Sequence, residues 1–421
     1  MRKLYVLKQS LFFVPLLLSM LCFISACSKR SDAPISHNFG KPDTSVADTT
    51  TGGPVASFNQ PTGVAVDAAG NIYVADYGND MIRKISAAGV VTTLAGTGTQ
   101  GSLNGKGNVA TFNGPTSVAV DPSGNVYVAD DNNNQIRMIS NSGVVSTIAG
   151  SDSTGSQNGT GALAYFFGPS GVACDAQGNV YVADAGNNLI RMVTPAGLVS
   201  TIAGNTNAGA QNGLDTSATF NNPAGIAVSS TGNIYVADML NDLIREISGG
   251  QVTTLAGNLN DSTIVSTNGV GTAASFVFPN SVAVDASGNV YTTEYVTNLI
   301  REIAPDGTVT TLAGSGAAGQ ADSTGTAASF SGPSGVAVDA SGNVYVADTY
   351  NNVIRKITPA GVVSTIAGSG AAGAVNGKAL SLHKGKTLYA LHRQVRPSND
   401  VLFRIIVKRR SAMRYMMRLN R

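Results

Sequence analysis

Pro333-Ser334-Gly335-Val336-Ala337-Val338-Asp339-Ala340-Ser341-Gly342-Asn343-Val344-Tyr345 is the last of six near-copies of one block in a chain of 421 residues. The Asn of the block stands at Asn71, Asn125, Asn179, Asn233, Asn289 and Asn343, a spacing of 54 residues broken once by a 56. A period near 50 marks a solenoid or a propeller, in which each unit is a supersecondary element unable to bury its own faces alone. Composition agrees: Gly contributes 49 residues, Trp none, and charged residues are only 12%, as many short strands and tight turns require. A repeat running through most of the chain argues for one large closed array over several independent domains.

One unit can be read strand by strand. Gly63 to Val66 is a short apolar strand, and Asp67-Ala68-Ala69-Gly70 is a tight turn in which Gly is free to take positive φ. Asn71 to Ala75 forms a second strand, Tyr77 to Asp80 turns, Met81 to Ile85 forms a third, Ser86 to Gly89 turns, and Val90 to Leu94 forms a fourth. In the second strand Ile72 and Val74 share one side while Tyr73 and Ala75 share the other, so both sides are apolar. A sheet apolar on both faces must be covered on both. Blades packed side by side around an axis meet that demand, and six units predict an all-β, six-bladed β-propeller of four-stranded antiparallel blades. A parallel β-helix is the alternative, but its rungs are shorter than these units and do not consist of hairpin-linked strands.

The pattern F-x-x-P-x-G-V-A-V-D-x-x-G-N-x-Y-V-A-D-x-x-N-x-x-I-R-x-I, seen in Phe330 to Ile357 and with small changes in all six units, resembles the NHL repeat. The resemblance covers roughly residues 55 to 378. It implies a six-bladed propeller of a kind that serves mostly as a binding platform, with a few enzymes among its relatives.

The two ends differ from the repeats. Arg2, Lys3 and Lys8 precede an apolar run from Leu11 to Ile24, closed by Ser25-Ala26-Cys27, so residues 1–27 read as a processing segment. The run is short of the ~20 apolar residues that span a bilayer. Its end resembles a bacterial lipobox, which implies cleavage before Cys27, lipidation of that thiol and a place in the bacterial envelope as an outer-membrane or cell-surface lipoprotein. Residues 28–53 are polar and aperiodic, a flexible tether. Residues 54–378 are the propeller, with 10 Lys/Arg against 21 Asp/Glu, a net −11 that weighs against RNA or DNA as its ligand. After Asn376-Gly377-Lys378, in register with Asn104-Gly105-Lys106, the period vanishes, and residues 379–421 carry 11 Lys/Arg against one acid. That tail reads as a translated frameshift or other disruption, which resequencing would test. A native basic extension touching anionic lipid or nucleic acid is the alternative. How the ring closes stays open, because the sixth unit supplies its own fourth strand, Val362 to Ile366.

Strand direction sorts the loops. First-to-second and third-to-fourth turns emerge on one side, and they are short. Second-to-third turns and the connectors of about 15 Gly, Ala, Ser, Asn and Thr residues, such as Thr97 to Thr111, emerge on the other. Long loops on a rigid scaffold are where binding resides. The innermost ring, where each first strand begins (Gln60-Pro61-Thr62 and equivalents), holds no His or carboxylate. Metal-dependent lactonases and lyases of similar shape place such groups at the channel mouth. His37, His383 and His392 all lie outside the repeats, which speaks against a zinc site in the propeller. A weak, oxygen-held Ca²⁺ is the only cofactor left open.

One charged pair recurs seven residues apart: Asp76 and Arg83, Asp130 and Arg137, Asp184 and Arg191, Asp238 and Arg245, Glu294 and Arg301, Asp348 and Arg355. Across the turn the two are diagonal neighbours on one face. A pair repeated in every blade reads as a structural fastening, with a carboxylate ligand ring as the competing role. Asp67 and its equivalents in the Asp-x-x-Gly turns are expected to bond their own turn amides, Ser229 doing so in the fourth unit. Cys174 takes a slot held by Val66 and Val120 and reads as a buried apolar thiol. The sequence therefore predicts a monomeric, non-enzymatic, membrane-anchored propeller that recognises a protein or glycan through its long-loop face, against a lactonase-like enzyme working at the channel mouth.

Overall fold

The repeats form a closed ring of six blades. A computed structural model describes residues 54–259 and 265–378, with the backbone of two short strands at Gln394–Val395 and Val401–Leu402. Cys27, the processing segment, the tether, the three histidines and nearly all of the basic tail lie outside the described residues. In blade 1, Pro61–Val66, Ile72–Asp76, Met81–Ile85 and Val90–Ala95 pair in that order, each antiparallel to the next. The other first strands are Pro115–Val120, Pro169–Cys174, Pro223–Val228, Pro279–Val284 and Pro333–Val338. Among the described residues there is no α-helix, and no helix long and apolar enough to cross a membrane.

The two-sided strand of the sequence is two-sided in space. Tyr73 and Ala75 pack with Phe112, Val118 and Val128 of blade 2, whereas Ile72 and Val74 pack with Tyr345, Ala347 and Ile354 of blade 6. Four further clusters of the same kind fill the remaining seams, so the core consists of six interlayers with nothing at the centre of any one blade. First strands meet around the axis: a Cβ on Gly63 would lie 2.7 Å from the Ser117 Cα, and one on Gly335 would lie 3.0 Å from the Gly63 Cα. Glycine is what lets neighbouring backbones approach so closely at the hub.

The connectors are more ordered than their composition suggests. The one leaving blade 1 lays Gly105–Lys106 along the outer edge of blade 2 as a fifth strand, and the next three do the same for blades 3, 4 and 5. Blade 6 receives the bridge Thr324–Val362 in the same place. Blade 1 receives Gly377–Lys378, which pair with Val91 and Val90. Val55 bridges Lys378, Phe58 bridges Ala372, and the Ala56 amide donates to the Lys378 carbonyl at 3.2 Å. Ring closure therefore repeats the ordinary connector, with the last connector docking on the first blade. This is why the periodicity runs to Lys378.

Candidate functional site

Each second strand ends in the acid of the recurring pair and is followed by a short turn, a three-residue 3₁₀ turn in every blade but the fifth (Tyr77–Asn79 in blade 1). The turn closes with a left-handed residue: Asp80, Asn134, Asn188, Asp242, Asn298 or Asn352, with φ between 51° and 58°. Asn and Asp tolerate that conformation best among residues with a side chain. Each also accepts, through Oδ1, the amide hydrogen of the residue opening the next blade: Gly114 on Asp80 at 2.8 Å, Gly168 on Asn134 at 3.0 Å, and Gln60 on Asn352 at 2.9 Å. The other three seams carry the same bond. This interlock was not read from the sequence, although an Asn or Asp at one fixed place in all six units was its signal.

The Asp–Arg pairs are fully buried. Arg83 Nη1 lies 2.8 Å from Asp76 Oδ2, and in blades 2, 3, 4 and 6 the distance is 2.6 to 2.7 Å. Asp76 also accepts from the Asn59 amide and from Asn79 Nδ2, both at 2.8 Å. Burial raises its carboxyl above the ordinary range, and these donors together with Arg83 oppose the rise. Arg83 further donates to the carbonyls of Ser57 and Val375 and to Asn376 Oδ1, with its guanidinium 5.4 Å from the Phe58 ring centroid. The Nε–H of each of the six arginines has no acceptor among the described residues. Each Arg thus holds a blade to the connector on its edge, and none of the six acids faces the channel. In blade 5 the acid is Glu294, and Thr297 takes the Asn position. Ser266 and the Val277 amide complete its partners, and Arg301 stays bonded to it.

The Asp-x-x-Gly turns sit on the opposite face. Asp67 Oδ1 accepts from the Ala69 and Asn71 amides, and Oδ2 from Asn71 Nδ2 and the Tyr73 hydroxyl. In blade 4 Ser229 Oγ takes the Asn233 amide at 3.1 Å, and Glu246 takes its side chain at 3.0 Å. Cys174 is half-buried, and burial pushes its thiol up to about 12, which removes nucleophilic character at neutral pH.

On this face each blade presents two positions, the residue opening its first strand and the residue opening the turn after its second strand. The second set, overlooked in the sequence, reads Tyr77, Asp131, Ala185, Met239, Tyr295 and Thr349. The first-strand openings hold no carboxylate, but the turn openings add one on the same face, Asp131. It hid beside Asp130, which belongs to the blade 2 ion pair. Its side chain has no hydrogen bond or ion pair with another described residue, and burial, then the charge of Asp130, push it up to about 6. Between residues 54 and 378, twelve aromatic residues are the Phe and Tyr of the repeat framework, and the other six are Tyr77, Tyr165, Phe167, Phe278, Tyr295 and Tyr350. All six lie on the connector and second-turn face. Tyr295 and Tyr350 are bonded hydroxyl to hydroxyl with ring centroids 5.6 Å apart, and Phe167 and Tyr350 are 49% and 46% exposed. Phe278 holds φ 50°, where a bulky side chain is uncommon. Among the described residues no group of three or more His, Cys, Asp and Glu is placed to hold a metal.

The NHL repeat matches residues 58–84, 112–137, 220–242 and 330–357, in blades 1, 2, 4 and 6; the chain carries NHL repeats. The chloroplast protein SUPPRESSOR OF QUENCHING 1 of Arabidopsis thaliana is 34% identical over 131 residues, 29% of this chain and 12% of its own. NHL repeat-containing protein 2 of Homo sapiens is 38% identical over 78 residues, 18% of this chain and 11% of its own. The matched region thus spans about a tenth of the length of these curated relatives. Among solved structures, an auxiliary nutrient binding protein from Bacteroides thetaiotaomicron is similar with a TM-score of 0.53 at 15% identity, over 73% of this chain and 70% of that one. Likeness at that identity speaks to the fold alone.

Proposed function

We propose that this propeller is a non-enzymatic binding platform that takes a protein or glycan ligand on the face carrying its connectors and second-to-third turns. The observation that carries the reading is the one-sided placement of its aromatic residues. Every aromatic outside the repeat framework lies on this face, and the opposite face has none beyond the framework tyrosines. Aromatic rings supply large contact area at low entropic cost, which is why they concentrate where partners bind. The rigid scaffold beneath, locked seam by seam, holds them in fixed positions. The lipobox-like end supports a place in the bacterial envelope, with Cys27 as the lipid anchor and the propeller acting as a monomer outside the membrane. No cofactor is part of the proposal; Ca²⁺ would be held only weakly by turn and connector oxygens.

A hydrolase or lyase at the mouth is the second reading, and Asp131 is what favours it, since a carboxyl near 6 suits a general base. It stands alone, however: its neighbour Asp130 is closed by Arg137, and no metal-holding group is found among the described residues to complete the chemistry. Capture of ligands from envelope extract and from a glycan array by the full chain, in parallel with Tyr295→Ala and Tyr350→Ala, tests the platform reading. Loss of the captured ligand in both variants supports it, and capture indifferent to both overturns it.

A further inference from the structure

The seam between blades 2 and 3 differs from the other five. At each seam, the first residue of one blade's second-to-third turn and the second residue of the next blade's turn flank the residue that opens that next blade. At the seam of blades 1 and 2 this gap is filled: a Cβ on Gly114 would meet Asn132 Nδ2 and, at 3.1 Å, Tyr77 Cε2. At the seam of blades 5 and 6, Tyr350 and Tyr295 cover Gly332 in the same way. At the seam of blades 2 and 3 the flanking residues are Asp131 and Gly186, and the opening residue is Gly168. Asp131 Oδ1 would lie 3.4 Å from a Cβ on Gly168, and the Phe167 ring lies over Gly186, with Cδ1 2.6 Å from where a Cβ would stand. Over Gly168, Asp131 is thus the single neighbour within 4 Å, and the half-exposed Phe167 ring, next to Gly168 along the chain, takes the place of a side chain at Gly186.

The charges around this seam favour one ligand class. Asp130 beside it is closed by Arg137, and Asp184 behind Phe167 is closed by Arg191. The described propeller has ten Lys and Arg. Its six arginines are buried in blade ion pairs. Lys84 and Lys356 lie over the framework rings of Tyr73 and Tyr345, and Lys106 and Lys378 lie in the outermost strands. No described cation therefore reaches Asp131. A half-buried carboxylate without a counter-charge repels anions and gains from a cation, and the exposed ring of Phe167, whose chain neighbour Gly168 lies against Asp131, attracts the same charge.

We propose that Asp131 and Phe167 form a subsite for the ammonium group of a lysine side chain on a partner protein. The inference rests on reading this face as the ligand-binding one and narrows the chemistry of what it takes. Its probe is Nα-acetyl-lysine methylamide, with the Nα-acetyl-norleucine analogue as uncharged control, followed by saturation-transfer NMR on the full chain.

The lysine probe is expected to bind at pH 7.5 while the norleucine control does not. Binding should weaken roughly tenfold in Asp131→Asn, and several-fold in Phe167→Ser, whose exposed position leaves the fold intact. It should also weaken as pH falls from 7.5 to 5, as Asp131 protonates. Equal binding of the control, or undiminished binding to Asp131→Asn, overturns the subsite. If a ligand captured on this face depends on Tyr295 and Tyr350 while the ammonium probe is ignored, the subsite fails and the platform stands. If the probe is ignored and capture is also indifferent to the tyrosines, both fail.

Discussion

Asn352, at the end of the last blade's turn, accepts the backbone amide of Gln60, which opens the first blade, at 2.9 Å. The two residues lie 292 positions apart in sequence, yet their bond is the same one that joins every other pair of neighbours. Six equal side-chain latches turn a row of hairpins into a ring. Asn352→Leu should remove the closing latch and leave the Gln60 amide unsatisfied, lowering stability by about 1–2 kcal/mol. Urea denaturation should show a lower midpoint at an unchanged slope. Asp80→Asn, which keeps the accepting oxygen, should stay within ~0.5 kcal/mol of the parent.

Removing Arg191 while keeping Asp184 strands a carboxylate at a site with no solvent exposure. Arg191→Met should therefore cost about 3–5 kcal/mol, and adding Asp184→Leu should recover part of it. The recovery is incomplete because the Phe167 amide and Asn187 also donate to Asp184. Thermal unfolding of the three variants decides the role of the pair. Unchanged stability in the single variant would favour the ligand-ring role instead.

A stop codon replacing Ser369 deletes the segment that docks on blade 1. Arg83 keeps Asp76 but loses the Val375 carbonyl and Asn376, and the outer edge of Val90–Ala95 loses its partner. The loss should be at least about 2 kcal/mol, since bonds to a charged group contribute most. Amide exchange should quicken first in residues 61–95 and last in blades 3 and 4.

Asp131 predicts a pH dependence with a definite sign. Its folded value near 6 lies above the ordinary 3.8, so between about pH 4 and 6 the folded chain binds more protons than the unfolded one. Stability contributed by this group is full below that window and falls as pH rises through it. Asp131→Asn should then raise stability at pH 7.5 by about 1–2 kcal/mol, discounted for partial exposure, with no gain at pH 4. Melting temperatures of both proteins at the two pH values provide the comparison, and a variant less stable at pH 7.5 would contradict the raised value.

Much of the fold was legible because hairpin strands carry their instructions locally. Ile72 against Tyr73 announces a sheet covered on both sides, and the diagonal of Asp76 and Arg83 follows from the register of Val74 opposite Arg83. The fifth strand was not legible: Gly105–Lys106 has no apolar alternation, and it exists only because Val144 and Val145 offer an open edge. Closure was missed for the same reason, since Asn376 looks like any loop Asn until Arg83 is placed beside it. The turn openings were hardest. Framework residues repeat, so a period reveals them, whereas Tyr77, Asp131, Ala185, Met239, Tyr295 and Thr349 share a position and nothing else. Subtracting the shared pattern from each unit would have exposed that position as the one free to vary.

Because Val55 lies bridged beside Lys378, the polypeptide's choice of where to open its circle is arbitrary. Joining residue 378 to residue 54 through a few glycines and cutting instead in the connector at 97–104 should yield a circular permutant with the same seams and rings. It would also move any attached cargo or tether to another point of the rim without touching the mouth.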